Sequence, residues 1–225
     1  MIYAGIACGG VGLRMGKAVP KQFLEIKGEP IIIHTVRKFI GICDRIYIAC
    51  HRDYISKTKE LFDGRKDVRV IAGGSTRMES LKNILSEISA HADPTDIVVT
   101  HDGVRPFISR EIIEKNIECA EECGACGTFV SSVDTMCISE NGRTVDSVPP
   151  RNTLFNIQTP QTFSVKVLAD MFESADEDIE KFTDLCGLAA FCGYNVCMIL
   201  GDRDNIKITS PSDLKIAEAL MEALV

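Results

Sequence analysis

The chain has 225 residues, 45% hydrophobic and 25% charged, with no Trp, enough for a single domain with a complete core. A net charge of −7 excludes a general nucleic-acid or membrane-surface binder, so any bound anion must be met by a local group of Lys, Arg and backbone N–H. No apolar stretch approaches the roughly 20 residues of a membrane span, and the start lacks a basic-then-apolar leader. The expectation is a cytoplasmic protein whose 10 Cys are reduced thiols.

Residues 1–8 predict a buried strand, followed by a glycine loop. Residues 30–40 (PIIIHTVRKFI) predict a helix with Pro in its first turn, and 45–50 (RIYIAC) a second strand. A helix over 54–62 and a strand over 68–72 follow, closed by Gly73-Gly74. Met78, Leu81, Ile84, Leu85 and Ile88 have helical spacing within 77–89. Residues 96–100 (DIVVT) predict a fourth strand ending at a His101-Asp102-Gly103 turn, and 111–122 another helix. This alternation with continuous apolar strands predicts a Rossmann-like, doubly wound α/β fold, its mostly parallel sheet covered on both faces. Such sheets bind ligands beyond the carboxyl ends of their strands, near a switch in strand order. The glycine loop, Gly73-Gly74 and His101-Asp102 all follow strands, so one crevice can collect them.

A strand over 128–133 then leads into residues 134–148, where Asn141-Gly142 between alternating arms predicts a hairpin. A hairpin in an α/β chain suits an arm that packs on a neighbour, and the arm, at about 134–150, points to a homodimer. The carboxyl third returns to α/β: strand 158–163, a helix from Val165, a helix over 183–191, strands 195–200 and 206–209, and a last helix from Ser212. One domain spans 1–225. Cys123-Gly-Ala-Cys126, with Cys119 one turn upstream, lacks a second CxxC or paired His for zinc. A helix ending at Gly124 and packing small thiols accounts for it.

The loop Gly9-Gly10-Val11-Gly12-Leu13-Arg14-Met15-Gly16 fits neither G-x-G-x-x-G, since Met15 occupies the third glycine's place, nor the Walker pattern, which needs Gly-Lys-Ser/Thr. It is either a structural turn or an anion cradle of backbone N–H groups. Arg14 brings a planar fork that matches phosphate oxygens and Lys21 a mobile point charge, which favours a phosphate site.

GGVGLRMG with VPKQFL at 19–24 resembles the signature of the polyol-phosphate cytidylyltransferase family. Its members include 2-C-methyl-D-erythritol 4-phosphate cytidylyltransferases and ribitol-5-phosphate cytidylyltransferases. GGSTRMESL at 73–81, HDGVRPF at 101–107, DTM at 134–136, QTPQTF at 158–163, TD at 183–184 and NIKITSPSDL at 205–214 follow in family order, so the resemblance runs from end to end. It implies that CTP and a polyol phosphate give a CDP-polyol and pyrophosphate. Cys8, Gly9, Gly10 and Gly12 would surround the CTP phosphates, with Arg14, Lys21 and Lys207 stabilising charge at the α-phosphate. Gly73 and Ser80 would read the cytosine, with Arg77 supporting their turn. Asp102 and Arg105 would lie beside the ribose and acceptor. Thr159 and Thr183 would contact the polyol phosphate, and Arg151 would reach it from a partner subunit. Mg²⁺ would be bound mainly by the triphosphate, near Asp102.

Cys8 departs from the family's usual Ala, and Gly103-Val104 from the Ala-Ala of the methylerythritol enzymes. Val104-Arg105-Pro106-Phe107 and Thr183-Asp184-Leu185-Cys186 look more like the ribitol enzymes, whereas Arg151-Asn152 and Leu154 lean the other way. Both acceptors stay open, as do a transferase using another nucleotide and a catalytically silent nucleotide-binding homologue. Taken alone, His101 reads as ordering its turn, His34 as a core or surface histidine, and Asp202, Arg203 and Asp204 as a solvated turn. Without the motif, Lys207 between Ile206 and Ile208 reads as a solvated side chain.

Overall fold

The computed structural model describes residues 1–10, 19–175 and 178–223. Strand β1 (Ile2–Cys8) is central, paired in parallel with β4 (Arg45–Cys50) on one side and β6 (Ile97–Asp102) on the other. β5 (Val68–Ala72) extends the sheet beyond β4. Beyond β6 come β8 (Phe155–Ser164), β7 (Ala125–Ser131) and β9 (Cys197–Leu200), giving the order β5-β4-β1-β6-β8-β7-β9. β8 runs antiparallel to both neighbours and the other pairings are parallel. Strand order reverses between β1 and β6, so the crevice opens where their carboxyl ends part.

Alternation along the strands builds the two cores. Tyr3, Tyr47 and Val98 face one side, under α3 (Arg77–Ser89), α5 (Val165–Ser174) and α6 (Leu185–Phe191). Ile6, Ile48 and Val99 face the other, under α1 (Ile31–Arg37) and α4 (Arg110–Cys123). The five apolar residues predicted to share a face of α3 are all buried. α2 (Ile55–Leu61) flanks the β5 edge. A short ribbon of β2 (Glu25–Ile26) and β3 (Glu29–Pro30), absent from the sequence expectations, packs with α7 (Pro211–Ala223) in a third small core.

The structure revises several predicted boundaries. α1 begins after Pro30, which stands at its N-cap rather than in its first turn. His101 and Asp102 are the last residues of β6, paired beside Ile6 and Ala7, rather than a turn. β8 is longer than predicted and antiparallel. Residues 206–209 form no strand: Ile208 N–H donates to Val104 O at 3.0 Å without a ladder. The 134–148 hairpin is reduced to one antiparallel bridge, Ile138 with Ser147, before a turn where Gly142 takes φ +67°. Its side chains stand in solvent, so no sheet neighbour supports a longer ladder.

Candidate active site

β1 ends at Cys8, whose carbonyl accepts from the buried Gln22 Nε2 at 3.0 Å. That bond draws the returning segment back to the strand end and sets Lys21 beside Gly10. Gly12 and Arg14, expected to hold phosphate, lie outside the described residues. Burial pushes the Cys8 thiol well up, so it packs as a small apolar group.

The second wall comes from β5 and α3. Thr76 caps α3, its hydroxyl accepting from Glu79 N–H at 3.1 Å, and Glu79 Oε2 reaches back to Ser75 N–H and Oγ, both at 2.6 Å. Ser80 Oγ accepts from Gly74 N–H at 3.1 Å and donates to Thr76 O at 2.9 Å. A Cβ at Gly74 would fall 2.2 Å from Glu79 Cβ, so this clasp requires glycine. Gly73 lies behind it, its N–H on Cys50 O at 2.7 Å.

Asp102 joins the walls at the crevice floor. Oδ1 accepts from Arg77 Nε at 2.9 Å, while Oδ2 lies 3.3 Å from Arg105 Nε and 3.0 Å from Lys207 Nζ. Burial would raise this carboxyl, but Arg77, Lys207 and Arg105 together outweigh it and hold Asp102 far below the usual carboxylate range. Three cations on one carboxylate leave a surplus of positive charge, suited to an anion. Arg77 therefore braces Asp102 rather than the glycine turn; its Nη1 and Nη2 are buried and have no hydrogen-bond partner among the described residues.

Behind Asp102, His101 Nε2 lies 3.0 Å from Arg105 O and Nδ1 2.9 Å from Thr159 Oγ1. A carbonyl only accepts, so Nε2 carries the hydrogen and Nδ1 accepts from the Thr159 hydroxyl, whose oxygen takes Asp102 N–H at 3.2 Å. Burial lowers the His101 pKa to about 4, leaving it neutral near pH 7. The imidazole orders the strand end and has no free nitrogen for proton transfer. Arg105 Nη1 donates to Asn205 O at 2.8 Å, and Asn205 Nδ2 to Thr159 O at 2.8 Å. These bonds bring the chain before Lys207 to the floor. Sequence reasoning missed Gln22, Asn205 and the linking role of Asp102, although all three lie inside the quoted motifs.

Two chambers meet at this floor. One, about 180 Å³, is lined by Cys8, Gly9, Gly10, Lys21, Gly74, Ser75, Thr76 and Ser80; the other, about 310 Å³, by Arg105, Gln158, Thr159, Gln161, Thr183 and Asp184. Both include Arg77, Asp102 and Lys207. Lys21 and Lys207, 186 positions apart in sequence, thus face one space. Gly73 is outside both chambers. Arg151 is too: it is exposed, and its Nη1 donates to Val133 O at 3.3 Å.

A mostly parallel sheet with a glycine-rich, cationic crevice at its switch point and a second polar chamber beside it defines an α/β nucleotidyltransferase. The family model "IspD: 2-C-methyl-D-erythritol 4-phosphate cytidylyltransferase" matches residues 2–223. The ribitol-5-phosphate cytidylyltransferase of Streptococcus pneumoniae (strain Hungary19A-6) is 41% identical, with 99% of each chain covered. Among solved structures, the 4-diphosphocytidyl-2C-methyl-D-erythritol synthase of Anaerococcus prevotii DSM 20548 is 32% identical, with a TM-score of 0.84 over 98% of this chain and 96% of that one. The 2-C-methyl-D-erythritol 4-phosphate cytidylyltransferase of Thermus thermophilus is 27% identical, with a TM-score of 0.77 and 98% coverage of both chains. The chain belongs to the 2-C-methyl-D-erythritol 4-phosphate cytidylyltransferase family.

Proposed function

We propose that this chain transfers the CMP group of CTP to D-ribitol 5-phosphate. CTP-dependent cytidylyl transfer to a polyol phosphate is the reaction class; ribitol 5-phosphate as acceptor is the finer proposal. It is supported by the 41% identical, end-to-end ribitol-5-phosphate cytidylyltransferase and by the Val104–Phe107 and Thr183–Cys186 stretches.

The observation that carries the transferase reading is the meeting of two anion-suited chambers at Lys207, Asp102 and Arg77. CTP occupies the first, its phosphates against Gly9, Gly10 and Lys21, with Arg14 and Gly12 assigned there by motif. The polyol phosphate occupies the second, beside Arg105 and Thr183. A phosphate oxygen of the acceptor attacks the α-phosphorus, and the bond from that phosphorus to the bridging oxygen breaks as pyrophosphate leaves. The attacking phosphate is ionised near neutral pH, so no general base is needed, in keeping with the fully bonded His101. Lys21 and Lys207 offset repulsion between the two anions and the charge gathering on the α-phosphoryl oxygens.

Among the described residues, Asp102 is the one carboxylate lining the nucleotide chamber, and both its oxygens hold cations. This fits a Mg²⁺ carried on the triphosphate beside Asp102 better than one caged by protein oxygens. When bound, the ion neutralises charge on the departing pyrophosphate. Val133, Met136, Ile138, Val145 and Val148 leave the arm with exposed apolar side chains, the basis for a homodimer in which the partner's arm brings Arg151 to the acceptor phosphate. A cytoplasmic location follows from the soluble substrates; among the described residues no helix is long and apolar enough to cross a membrane.

The test is pyrophosphate release from CTP and Mg²⁺ with ribitol 5-phosphate, methylerythritol 4-phosphate or no acceptor. Ribitol 5-phosphate is expected to give the highest kcat/KM. Preference for methylerythritol 4-phosphate would move the acceptor assignment to the other polyol. CTP binding without turnover on either would mark a silent homologue.

A further inference from the structure

Helix α4 and the β7–β9 edge bring three thiols together outside the crevice, with a fourth, Cys126, on the adjoining strand. Cys119 and Cys123 are four apart on α4 and so share a helical face. Gly124, at φ +75°, ends the helix and turns the chain into β7. There Cys126 pairs across the parallel ladder with Cys197 of β9, which sets their side chains on the same sheet face. The sulfurs of Cys119, Cys123 and Cys197 lie within 4.8 Å of one another. Among the described residues, no other three Cys, His or carboxylate groups gather this closely.

Simple packing explains Cys8, Cys43 and Cys50, which are buried. It explains this cluster poorly, because Cys123 is exposed and Cys119 and Cys197 are half-buried.

We propose that Cys119, Cys123 and Cys197 form a binding site for a thiophilic divalent cation of the zinc type, with Cys126 completing the tetrahedron. A tetrahedral centre with zinc–sulfur bonds of about 2.3 Å spaces its sulfurs roughly 3.8 Å apart, a small contraction for Cys119, Cys123 and Cys197; Cys126, whose sulfur stands outside that group of three, has to swing in. Cys126 Sγ lies 3.4 Å from Asn116 Oδ1, and exchanges that weak bond for the metal. Each thiol releases its proton to solvent as its sulfur–metal bond forms, and nothing is oxidised or reduced. Cys126 and Cys197 stand near the amino ends of β7 and β9, at the sheet edge opposite the crevice. The role is therefore structural: the metal pins the four-residue edge strand β9 to α4.

The experiment uses the full chain purified under reducing conditions without chelator. Metal content is measured after dialysis, and the apo protein is titrated with Zn²⁺ and with Co²⁺. One zinc per chain is expected, with thiolate-to-cobalt charge transfer and tetrahedral d–d absorption for Co²⁺, and a rise in Tm on adding Zn²⁺. Cys197→Ser should weaken binding roughly tenfold or more, and Cys137→Ser, exposed on the arm, should leave it unchanged. Cys123 is exposed, so Cys123→Ser decides the matter if Cys197→Ser fails to fold. Metal retained equally by both variants, an octahedral cobalt spectrum without charge transfer, or a disulfide among these residues in the reduced preparation would overturn the proposal.

Discussion

In the proposed reaction Lys207 stands between the two substrates, and its position at both chambers follows from a chain of bonds. Asn205 is anchored to Thr159 and Arg105, which delivers the next turn of chain to Asp102. Lys207→Ala is expected to lower kcat by about a hundredfold, or ~3 kcal/mol of transition-state stabilisation. Lys207 is 38% exposed, so the melting temperature should move little; near-normal turnover in steady-state assays would remove it from the mechanism. Lys21→Ala should behave alike, since both side chains face the nucleotide chamber. His101 makes a separate prediction about pH. Its folded pKa of about 4 lies below an unfolded value near 6.5, so its contribution to stability is complete above about pH 6.5. It is lost as pH falls toward 4, on the order of 3 kcal/mol, because the unfolded imidazole takes up a proton the buried one refuses. Urea unfolding of His101→Gln across that range should show a shallower decline; equal slopes would assign the pH dependence elsewhere.

At the scale of elements, one wall of the first chamber is a turn between a strand and a helix. Residues 73–80 run from the end of β5 into α3, and Thr76, Glu79 and Ser80 use their side chains to clasp the turn between them. Gly74 sits where any side chain would meet Glu79. Gly74→Ala should therefore shift the turn and raise KM for CTP by about tenfold, ~1.4 kcal/mol, while KM for the acceptor stays constant. The split between the two constants is the informative reading, because a general folding defect would lower active enzyme without separating them. Element boundaries show how much was legible beforehand. The face of α3 was readable because five apolar residues repeat at helical spacing, and its burial is complete. The extent of β6 was not, since His101 and Asp102 read as polar turn residues until pairing with β1 and bonds to Thr159 and Arg77 absorb their polarity.

Among the described residues, the arm carries a group of apolar side chains that its own fold leaves exposed. The arm joins β7 to β8 and holds Met136, Ile138, Val145 and Val148 in solvent, with Phe155 and Ile157 exposed at the start of β8. Exposed apolar groups on one excursion are the basis of the proposed dimer contact. Replacing Ile138 and Val145 with Asp should shift sedimentation from dimer to monomer and lower kcat/KM for the acceptor about tenfold or more, with CTP binding kept. A wild-type chain that sediments as a monomer at assay concentration would end the shared-site proposal and leave Arg151 as a loop residue. The sequence by itself determined the alternation of strands and helices, the Gly73-Gly74 turn after β5 and the family, because apolar periodicity, turn chemistry and ordered motifs are local properties of the chain. Only the tertiary structure decided that Asp102 gathers Arg77, Arg105 and Lys207, that two chambers share that floor, and that Cys197 joins Cys119 and Cys123. Those meetings depend on strand order and on where buried polar groups find partners, and neither is written in the spacing of residues along the chain.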